Sequence, residues 1–173
     1  MNIFLIGYMG SGKSKTGEAL AKALAFSFLD TDQLIEQQTG KSIRDLFYAP
    51  GPEEFRLMEK NLIRKLTEKT NQVISTGGGL PCYFDNMDWM NKNGITVYLE
   101  ANAGLLFHRL VRNRTGRPLI ENISDVDLMD QIQNHLMDRV PIYAQAQIKV
   151  NAASLDVKGL TEKIKNLQEE KST

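Results

Sequence analysis

Short apolar runs alternate with stretches of helical periodicity along the chain. The runs that predict β-strands are residues 2–6, 26–29, 72–76, 95–99 and 147–150. Strands that alternate with helices predict an α/β fold, in which one parallel sheet is covered by helices on both faces. In such sheets ligands bind beyond the carboxyl ends of the strands, so we expect the functional residues there.

Apolar residues at three- and four-residue spacing predict the helices between these strands. One helix is expected at about 12–25 and another at about 52–68. A later helix is expected to begin at Ser124, where Asp127 three positions on resembles a capping box. Pro141 is expected to kink or end that helix, because proline has no backbone N–H.

Composition limits the classes of protein to which the chain can belong. Its 173 residues suffice for one domain with a proper core, and a formal net charge of zero offers no basic field for nucleic acid. The single cysteine, Cys82, excludes an internal disulfide and a multi-cysteine metal site, which suits a reducing cytosol. The apolar start is too short to span a membrane, and we expect no signal peptide. We therefore predict a cytoplasmic, monomeric protein that binds neither nucleic acid nor membranes.

Residues 7–17, GYMGSGKSKTG, follow the first predicted strand directly. Gly7, Gly12, Lys13 and Ser14 fit the pattern G-x-x-x-x-G-K-[ST] of a phosphate-binding loop. In such a loop the glycines let backbone N–H groups turn toward an anion, the lysine reaches the outer phosphates, and the serine hydroxyl holds magnesium. A flexible turn that happens to contain lysine is the alternative. The strand before the motif and the helix after it favour the phosphate site.

Two aspartates, Asp30 and Asp32, follow the second predicted strand in the sequence LDTD. In an extended chain, residues two apart face the same side, about 6.5–7 Å from each other. One carboxylate would then serve the magnesium ion while the other reaches an acceptor hydroxyl. The alternative is that Asp32 only caps the next helix, whose first turn favours acidic residues.

Three consecutive glycines, Gly77, Gly78 and Gly79, follow the third predicted strand in STGGGLP. Ordering three glycines costs much backbone entropy, so the loop is expected to need close approach to a ligand. A hairpin turn is the alternative, but Pro81 and a following helix do not resemble a returning strand. We interpret the loop as the floor of an acceptor pocket.

Arginines are concentrated in residues 105–119, which contain no acidic residue. These arginines are Arg109, Arg112, Arg114 and Arg117. The Gly and Pro of NRTGRP indicate a mobile flap, and an arginine-bearing flap that closes over a triphosphate would stabilise transferred charge and exclude water. Arg56 and Arg139 are isolated, and from composition alone each would be a surface arginine paired with a neighbouring acid.

The two histidines, His108 and His135, are interpreted as ordinary structural residues. Neither has a second histidine or a cysteine at the spacing of metal ligands, and phosphoryl transfer between oxygens requires neither residue type.

Six blocks of the sequence resemble the shikimate kinase family in order and approximate spacing. They are GYMGSGKS, FLDTD, FRLMEKN, STGGGLP, GRPLI and DRVPIYAQ. The resemblance covers about residues 2–165. It implies a single-domain P-loop kinase over 1–173, with a five-stranded parallel sheet, acceptor-binding helices at about 31–60 and a mobile lid at about 112–123. It also implies phosphorylation of the shikimate 3-hydroxyl by ATP with Mg²⁺, in the biosynthesis of aromatic amino acids.

Residue by residue, the resemblance implies a set of site residues. Three would act in catalysis: Lys13, Asp32 and Arg117. The residues that would bind ATP are Gly10, Ser11, Gly12, Lys13, Ser14, Lys15 and Arg117. The residues that would bind shikimate are Asp32, Arg56, Gly77, Gly78, Gly79 and Arg139. Magnesium would be held by Ser14 and Asp30.

The resemblance also implies a function for the two isolated arginines. Arg56 and Arg139 would grip the shikimate carboxylate, since planar guanidinium groups suit that ion, and Glu59 would hold Arg56 in place. Two features depart from the family or stay open. Lys15 stands where the family more often has threonine, and the arginine that stacks on adenine is either Arg109 or Arg112, with no clear match for the C-terminal adenine contact.

Other classes of protein fit the sequence less well. Another small-molecule kinase, acting for example on gluconate or a nucleoside monophosphate, predicts a different acceptor pocket. A GTPase needs N-K-x-D, and residues 91–94 read NKNG. A regulatory module that binds nucleotide without catalysis would tolerate loss of the acceptor residues, and the sequence keeps them.

Overall fold

Five parallel strands form one sheet in the part of the chain that the computed structural model describes, residues 1–112, 120 and 123–172. The strands are β1 (Asn2–Ile6), β2 (Ser27–Asp30), β3 (Gln72–Ser75), β4 (Gly94–Glu100) and β5 (Ile148–Asn151). Their order across the sheet is β2-β3-β1-β4-β5, and each neighbouring pair is parallel. The predicted α/β fold is confirmed, and the predicted strands differ from the observed ones only at their ends.

Helices connect the strands. In the described residues they are α1 (Lys13–Leu24), α2 (Thr31–Thr39), α3 (Ile43–Tyr48), α4 (Pro52–Leu66), α5 (Asn86–Asn93), α6 (Ala103–Arg112), α7 (Asp125–Tyr143) and α8 (Val157–Ser172). As predicted, Ser124 caps α7, because its hydroxyl accepts a hydrogen bond from the backbone N–H of Asp127 at 3.1 Å. The helix continues through Pro141 and ends two residues later, at Tyr143. Of the helices that the structure describes, none is long and apolar enough to cross a bilayer.

The central strand β1 is buried on both faces. Ile3 and Leu5 belong to an apolar cluster on one side of the sheet, and Phe4 and Ile6 belong to a cluster on the other. All four side chains have no exposed surface. This two-sided burial is what a parallel sheet requires, and it leaves the carboxyl edge of the strands as the place for a site.

A third apolar cluster lies where α2, α3 and α4 pack together. Its buried residues are Ile35, Leu46, Phe55 and Leu62. These helices therefore have a small core of their own beside the end of β2, in the segment predicted to bind the acceptor. The predicted bounds of that segment and of the lid stay predictions, and residues 113–119 and 121–122 of the lid lie outside the described residues.

Candidate active site

The phosphate-binding loop connects β1 to α1. Gly7, Gly10 and Gly12 have φ angles of 140°, 82° and 98°, which residues with a side chain rarely adopt. At Gly7 a Cβ would also lie 2.9 Å from the carbonyl oxygen of Leu99. The glycines that define the motif are therefore required by the shape of the loop.

Two polar side chains of this loop are buried where an anion would bind. Lys13 is 8% exposed, and its Nζ donates hydrogen bonds to the carbonyl oxygens of Gly7 at 2.8 Å and Tyr8 at 3.0 Å. Ser11 Oγ is buried and has no hydrogen-bond partner among the described residues. A buried hydroxyl without a partner fits a loop that binds phosphate, because buried polar groups are normally satisfied.

Ser14 and Asp30 lie together beside the loop. The Ser14 hydroxyl donates to Asp30 Oδ2 at 3.0 Å, and Asp30 Oδ1 accepts from the backbone N–H groups of Asp32 at 3.1 Å and Gln33 at 3.4 Å. Asp30 therefore caps α2. The expectation of two aspartates in an extended chain is wrong, because α2 begins at Thr31 and places Asp32 in its first turn. The alternative of a helix cap applies to Asp30 rather than to Asp32.

Asp32, in the first turn of α2, faces the glycine loop that follows β3. A Cβ at Gly77 would lie 2.5 Å from Asp32 Oδ1 and 3.0 Å from Glu59 Oε1. Burial raises the pKa of Asp32 to about 6, and the nearby Asp30 carboxylate also raises it, while Lys13 acts in the opposite direction. A carboxyl group with a pKa close to neutral is suited to accept a proton during a reaction.

Arg56 and Glu59 form a buried ion pair on α4. Arg56 donates from NH1 to Glu59 Oε2 at 2.5 Å, and the side chains are only 12% and 1% exposed. Burial raises the pKa of Glu59 to about 7, although Arg56 acts in the opposite direction. The guanidinium carbon also lies 4.3 Å from the ring centroid of Tyr83 and 5.2 Å from that of Phe47. Arg56 is therefore held rigidly, as its predicted role requires.

Arg139 comes from α7, on the other side of the same cleft. A Cβ at Gly78 would lie 3.6 Å from its NH1 atom. The carbonyl oxygen of Gly78 accepts a hydrogen bond from the hydroxyl of Tyr143, which is one helical turn beyond Arg139. Helix α7 thus contacts the glycine loop both through a charged group and through a hydrogen bond.

The glycine loop brings the predicted acceptor residues together. Asp32 lies against Gly77, Arg139 lies near Gly78, and a Cβ at Gly79 would lie 2.6 Å from NH2 of Arg56. At Gly77 and Gly79 only a residue without a side chain leaves room for the neighbouring group. Two guanidinium groups and one carboxyl group therefore converge beside the phosphate-binding loop, an arrangement that can bind an anionic hydroxyl compound.

A cavity of about 950 Å³ lies over the phosphate-binding loop. Its lining includes residues 9–16, Asp30, Asp32, Gly78 and Arg109. The cavity therefore extends from the phosphate-binding loop to Asp32 and Gly78, two of the residues predicted to contact the acceptor.

Comparison with known proteins identifies the family. The shikimate kinase family model matches residues 9–168. The shikimate kinase of Bacteroides thetaiotaomicron is 43% identical over 156 residues, which cover 90% of this chain and 89% of that protein. The chain belongs to the shikimate kinase family. The shikimate kinase of Thermodesulfovibrio yellowstonii is 37% identical over 163 residues, covering 94% and 92% of the two chains.

Solved structures of shikimate kinases have the same fold. A crystal structure from Bacteroides thetaiotaomicron matches with a TM-score of 0.90 at 40% identity, covering 98% of each chain. A complex of the Acinetobacter baumannii enzyme with shikimate matches with a TM-score of 0.84 at 32% identity, covering 98% of this chain and 93% of that one. A gluconokinase from Sinorhizobium meliloti, at 19% identity and a TM-score of 0.58, shares the fold alone.

Within this shikimate kinase family member, the two arginines considered for adenine differ in position. Arg109 donates from NH1 to the carbonyl oxygens of Gly10 and Ser11, both at 3.1 Å, and from NH2 to that of Ala152 at 3.1 Å. Arg112 is exposed and does not line the cavity. The position of Arg109 favours it for the nucleotide. Arg117 lies outside the described residues.

Some residues of the site received no role from the sequence, although Tyr8 and Tyr143 lie within the blocks that resemble the family. The cavity wall beside Arg109 includes Ala152, Ala153, Leu155 and Val157, which come after β5. Tyr143 and the paired side chains of Tyr8 and His135 also lie at the site. Only tertiary packing could identify them, because their partners are distant in sequence and the residue types are common in cores.

Proposed function

We propose that the chain transfers the γ-phosphoryl group of ATP to the 3-hydroxyl of shikimate, with Mg²⁺ as cofactor. The observation that carries the proposal is the glycine loop, beside which Asp32, Arg56 and Arg139 lie near three consecutive glycines. Asp32 and Gly78 also line the cavity that contains the phosphate-binding loop. Membership in the shikimate kinase family supports the choice of acceptor.

The residues around the loop fit a nucleotide with its metal ion. Lys13 would neutralise charge on the outer phosphates, and the oxygens of Ser14 and Asp30, 3.0 Å apart, are the hard ligands that Mg²⁺ prefers. Magnesium, when bound, would neutralise charge that develops on the phosphates. Arg109 would border the adenine, and Arg117 is proposed to reach ATP from the lid.

The acceptor side fits shikimate, which carries a carboxylate and hydroxyl groups on one ring. Arg56 and Arg139 would grip the carboxylate from two sides, and the pair of Arg56 with Glu59 would keep the first of them oriented. Asp32 would position the 3-hydroxyl and accept its proton as the oxygen attacks phosphorus. Its raised pKa suits this step, because the protonated form is accessible near neutral pH.

One coupled assay tests the proposal. ADP release is measured with shikimate, with gluconate and without acceptor, and shikimate is expected to raise the rate far above the other two. Lys13→Met is the control, and its kcat is expected to fall by several orders of magnitude because electrostatic stabilisation of the transferred group is lost. If ADP release is no faster with shikimate than without it, the proposal is wrong.

The proposal also includes a cytoplasmic monomer that acts on small molecules, without nucleic acid or membrane partners. The free thiol of Cys82 is compatible with a reducing compartment. Light scattering of the purified chain measures the oligomeric state, and a molar mass twice that of one chain would contradict the monomer.

A further inference from the structure

Tyr8 connects the phosphate-binding loop to helix α7. Its side chain is 2% exposed, and its hydroxyl shares a hydrogen bond of 2.9 Å with Nδ1 of His135. The two ring centroids are 5.9 Å apart. Burial and the nearby Arg139 both lower the pKa of His135, while Asp138 acts in the opposite direction. A neutral ring suits this contact, because an unprotonated Nδ1 can accept a hydrogen bond from the tyrosine hydroxyl.

Arg139 lies over the ring of the same tyrosine. Its guanidinium carbon is 5.5 Å from the Tyr8 ring centroid, within the range in which the face of an aromatic ring attracts a cation. His135 and Arg139 are four residues apart on α7, so both project from one face of that helix. The ring of Tyr8 is thus anchored by one residue of α7 and contacts the other.

The main chain of Tyr8 belongs to the opposite half of the site. Its carbonyl oxygen accepts hydrogen bonds from Nζ of Lys13 at 3.0 Å and from the backbone N–H of Ser11 at 3.1 Å. One residue therefore contacts the phosphate-binding lysine through its backbone and the acceptor-binding arginine through its ring. A change confined to the side chain should affect the acceptor half alone.

We propose that Tyr8 and His135 are a positioning pair that holds the guanidinium of Arg139 where it meets the carboxylate of shikimate. The hydrogen bond between them fixes the tyrosine ring, and the ring supports the cation. This inference rests on the proposed function, in which Arg139 grips that carboxylate. Neither member of the pair contacts the reacting atoms, so both act through Arg139.

Three variants test the pair by steady-state kinetics. Tyr8→Phe removes the hydroxyl and keeps the ring, His135→Leu removes the partner nitrogen, and His135→Asn keeps a hydrogen-bonding group near the position of Nδ1. Loss of one hydrogen bond should raise the KM for shikimate about two- to tenfold in the first two variants, with kcat and the KM for ATP within about twofold of the parent. His135→Asn should restore the parent KM.

Two controls separate positioning from a general effect on folding. His108→Leu changes the other histidine, which is exposed on α6, and should leave all kinetic constants unchanged. In an Arg139→Ala background, Tyr8→Phe should have no further effect on the KM for shikimate, since the group that it positions is gone.

Either of two results would overturn the inference. One is a shikimate KM that stays at the parent value in both Tyr8→Phe and His135→Leu. The other is an effect of Tyr8→Phe that is equally large with and without Arg139. If the parent chain phosphorylates shikimate and the variants match it, only this inference fails; if the parent does not, the proposed function fails and this inference with it.

Discussion

Three carboxyl groups of the cleft, those of Asp30, Asp32 and Glu59, differ in what surrounds them. Asp30 accepts hydrogen bonds from the Ser14 hydroxyl and from two backbone N–H groups. Glu59 is buried and Asp32 is partly buried, and burial is the largest cause of their raised pKa values. These environments support the proposal that Asp30 holds the metal and that Asp32 accepts the proton.

A magnesium titration of two variants tests this division of roles. Asp32→Asn should lower kcat with shikimate by about 10²- to 10⁴-fold, because the group that accepts the proton is lost, while the magnesium midpoint stays normal. Asp30→Asn should raise the magnesium concentration needed for half-maximal rate, since a carboxylate oxygen is lost. Asparagine also caps helices well, so α2 is preserved in the second variant. If Asp32→Asn changes the magnesium concentration needed for half-maximal rate and Asp30→Asn does not, the two aspartates have the opposite roles.

The raised pKa of Asp32 predicts the acid limb of the pH profile. The ionised carboxylate accepts the proton, so kcat/KM for shikimate should fall as the pH drops below about 6, where Asp32 becomes protonated. This limb should persist in Asp88→Asn, which alters an exposed aspartate on α5, and disappear from the residual activity of Asp32→Asn. A flat profile of the parent between pH 7 and pH 5 would contradict the assignment.

At the scale of elements, the loop after β3 lies against side chains from α2, α4 and α7. Gly77 leaves room for Asp32 of α2, Gly79 leaves room for Arg56 of α4, and Arg139 of α7 lies near Gly78. Gly79 has φ −83° and ψ −23°, a conformation that any residue adopts, so its lack of a side chain is required by Arg56 and not by the backbone.

Gly79→Ala tests this steric requirement. The added Cβ would lie 2.6 Å from NH2 of Arg56, the end of a flexible side chain, so the guanidinium should move while the fold stays intact. We expect a shikimate KM raised roughly tenfold or more, as for loss of a charge-assisted hydrogen bond, and an unchanged KM for ATP. Gly104→Ala, where the nearest atom to the Cβ would be 3.5 Å away, is the matched control. If Gly79→Ala has the same KM for shikimate as the parent, the added methyl group does not move Arg56 away from the substrate.

At the scale of the molecule, the site lies between the sheet and the small core of α2, α3 and α4. The phosphate-binding loop and the glycine loop follow strands of the sheet. Arg56 and Glu59 come from α4, which contributes to the small core. Because Arg139 comes from α7, an acceptor in the cleft would contact parts of the chain that are distant in sequence. Binding of shikimate should therefore stabilise the whole fold.

Thermal unfolding measures this stabilisation. At a shikimate concentration of about 100 times Kd, binding contributes about 2.7 kcal/mol to the free energy of unfolding, which for a chain of this size should raise Tm by about 5–10 °C. The rise should be about half or less in Arg56→Ala at the same concentration, and Arg44→Ala, which alters an exposed arginine on α3, should behave as the parent. If shikimate raises the Tm of Arg56→Ala as much as that of the parent, Arg56 does not bind shikimate.

The sequence by itself determined the order of the five strands along the chain, the helices that connect them, the phosphate-binding loop and the family. Each depends on residues within a few positions of one another, as in the spacing of Gly7, Gly12 and Lys13, or on blocks in a fixed order. Such local patterns predict secondary structure because the backbone geometry of strands and helices repeats over two to four residues. The strand order in the sheet and the unpredicted helix α8 depended on packing instead.

Only the tertiary structure decided how the site is assembled. Arg139 reaches Gly78 from 61 residues away, and Tyr8 meets His135 across a separation of 127 residues. It also placed Asp32 in a helix rather than in an extended chain, and Arg109 rather than Arg112 at the cavity. The physical reason is that burial, charge and contact at the carboxyl edge of a parallel sheet are set by elements that meet only after folding. No periodicity along the chain encodes those distances.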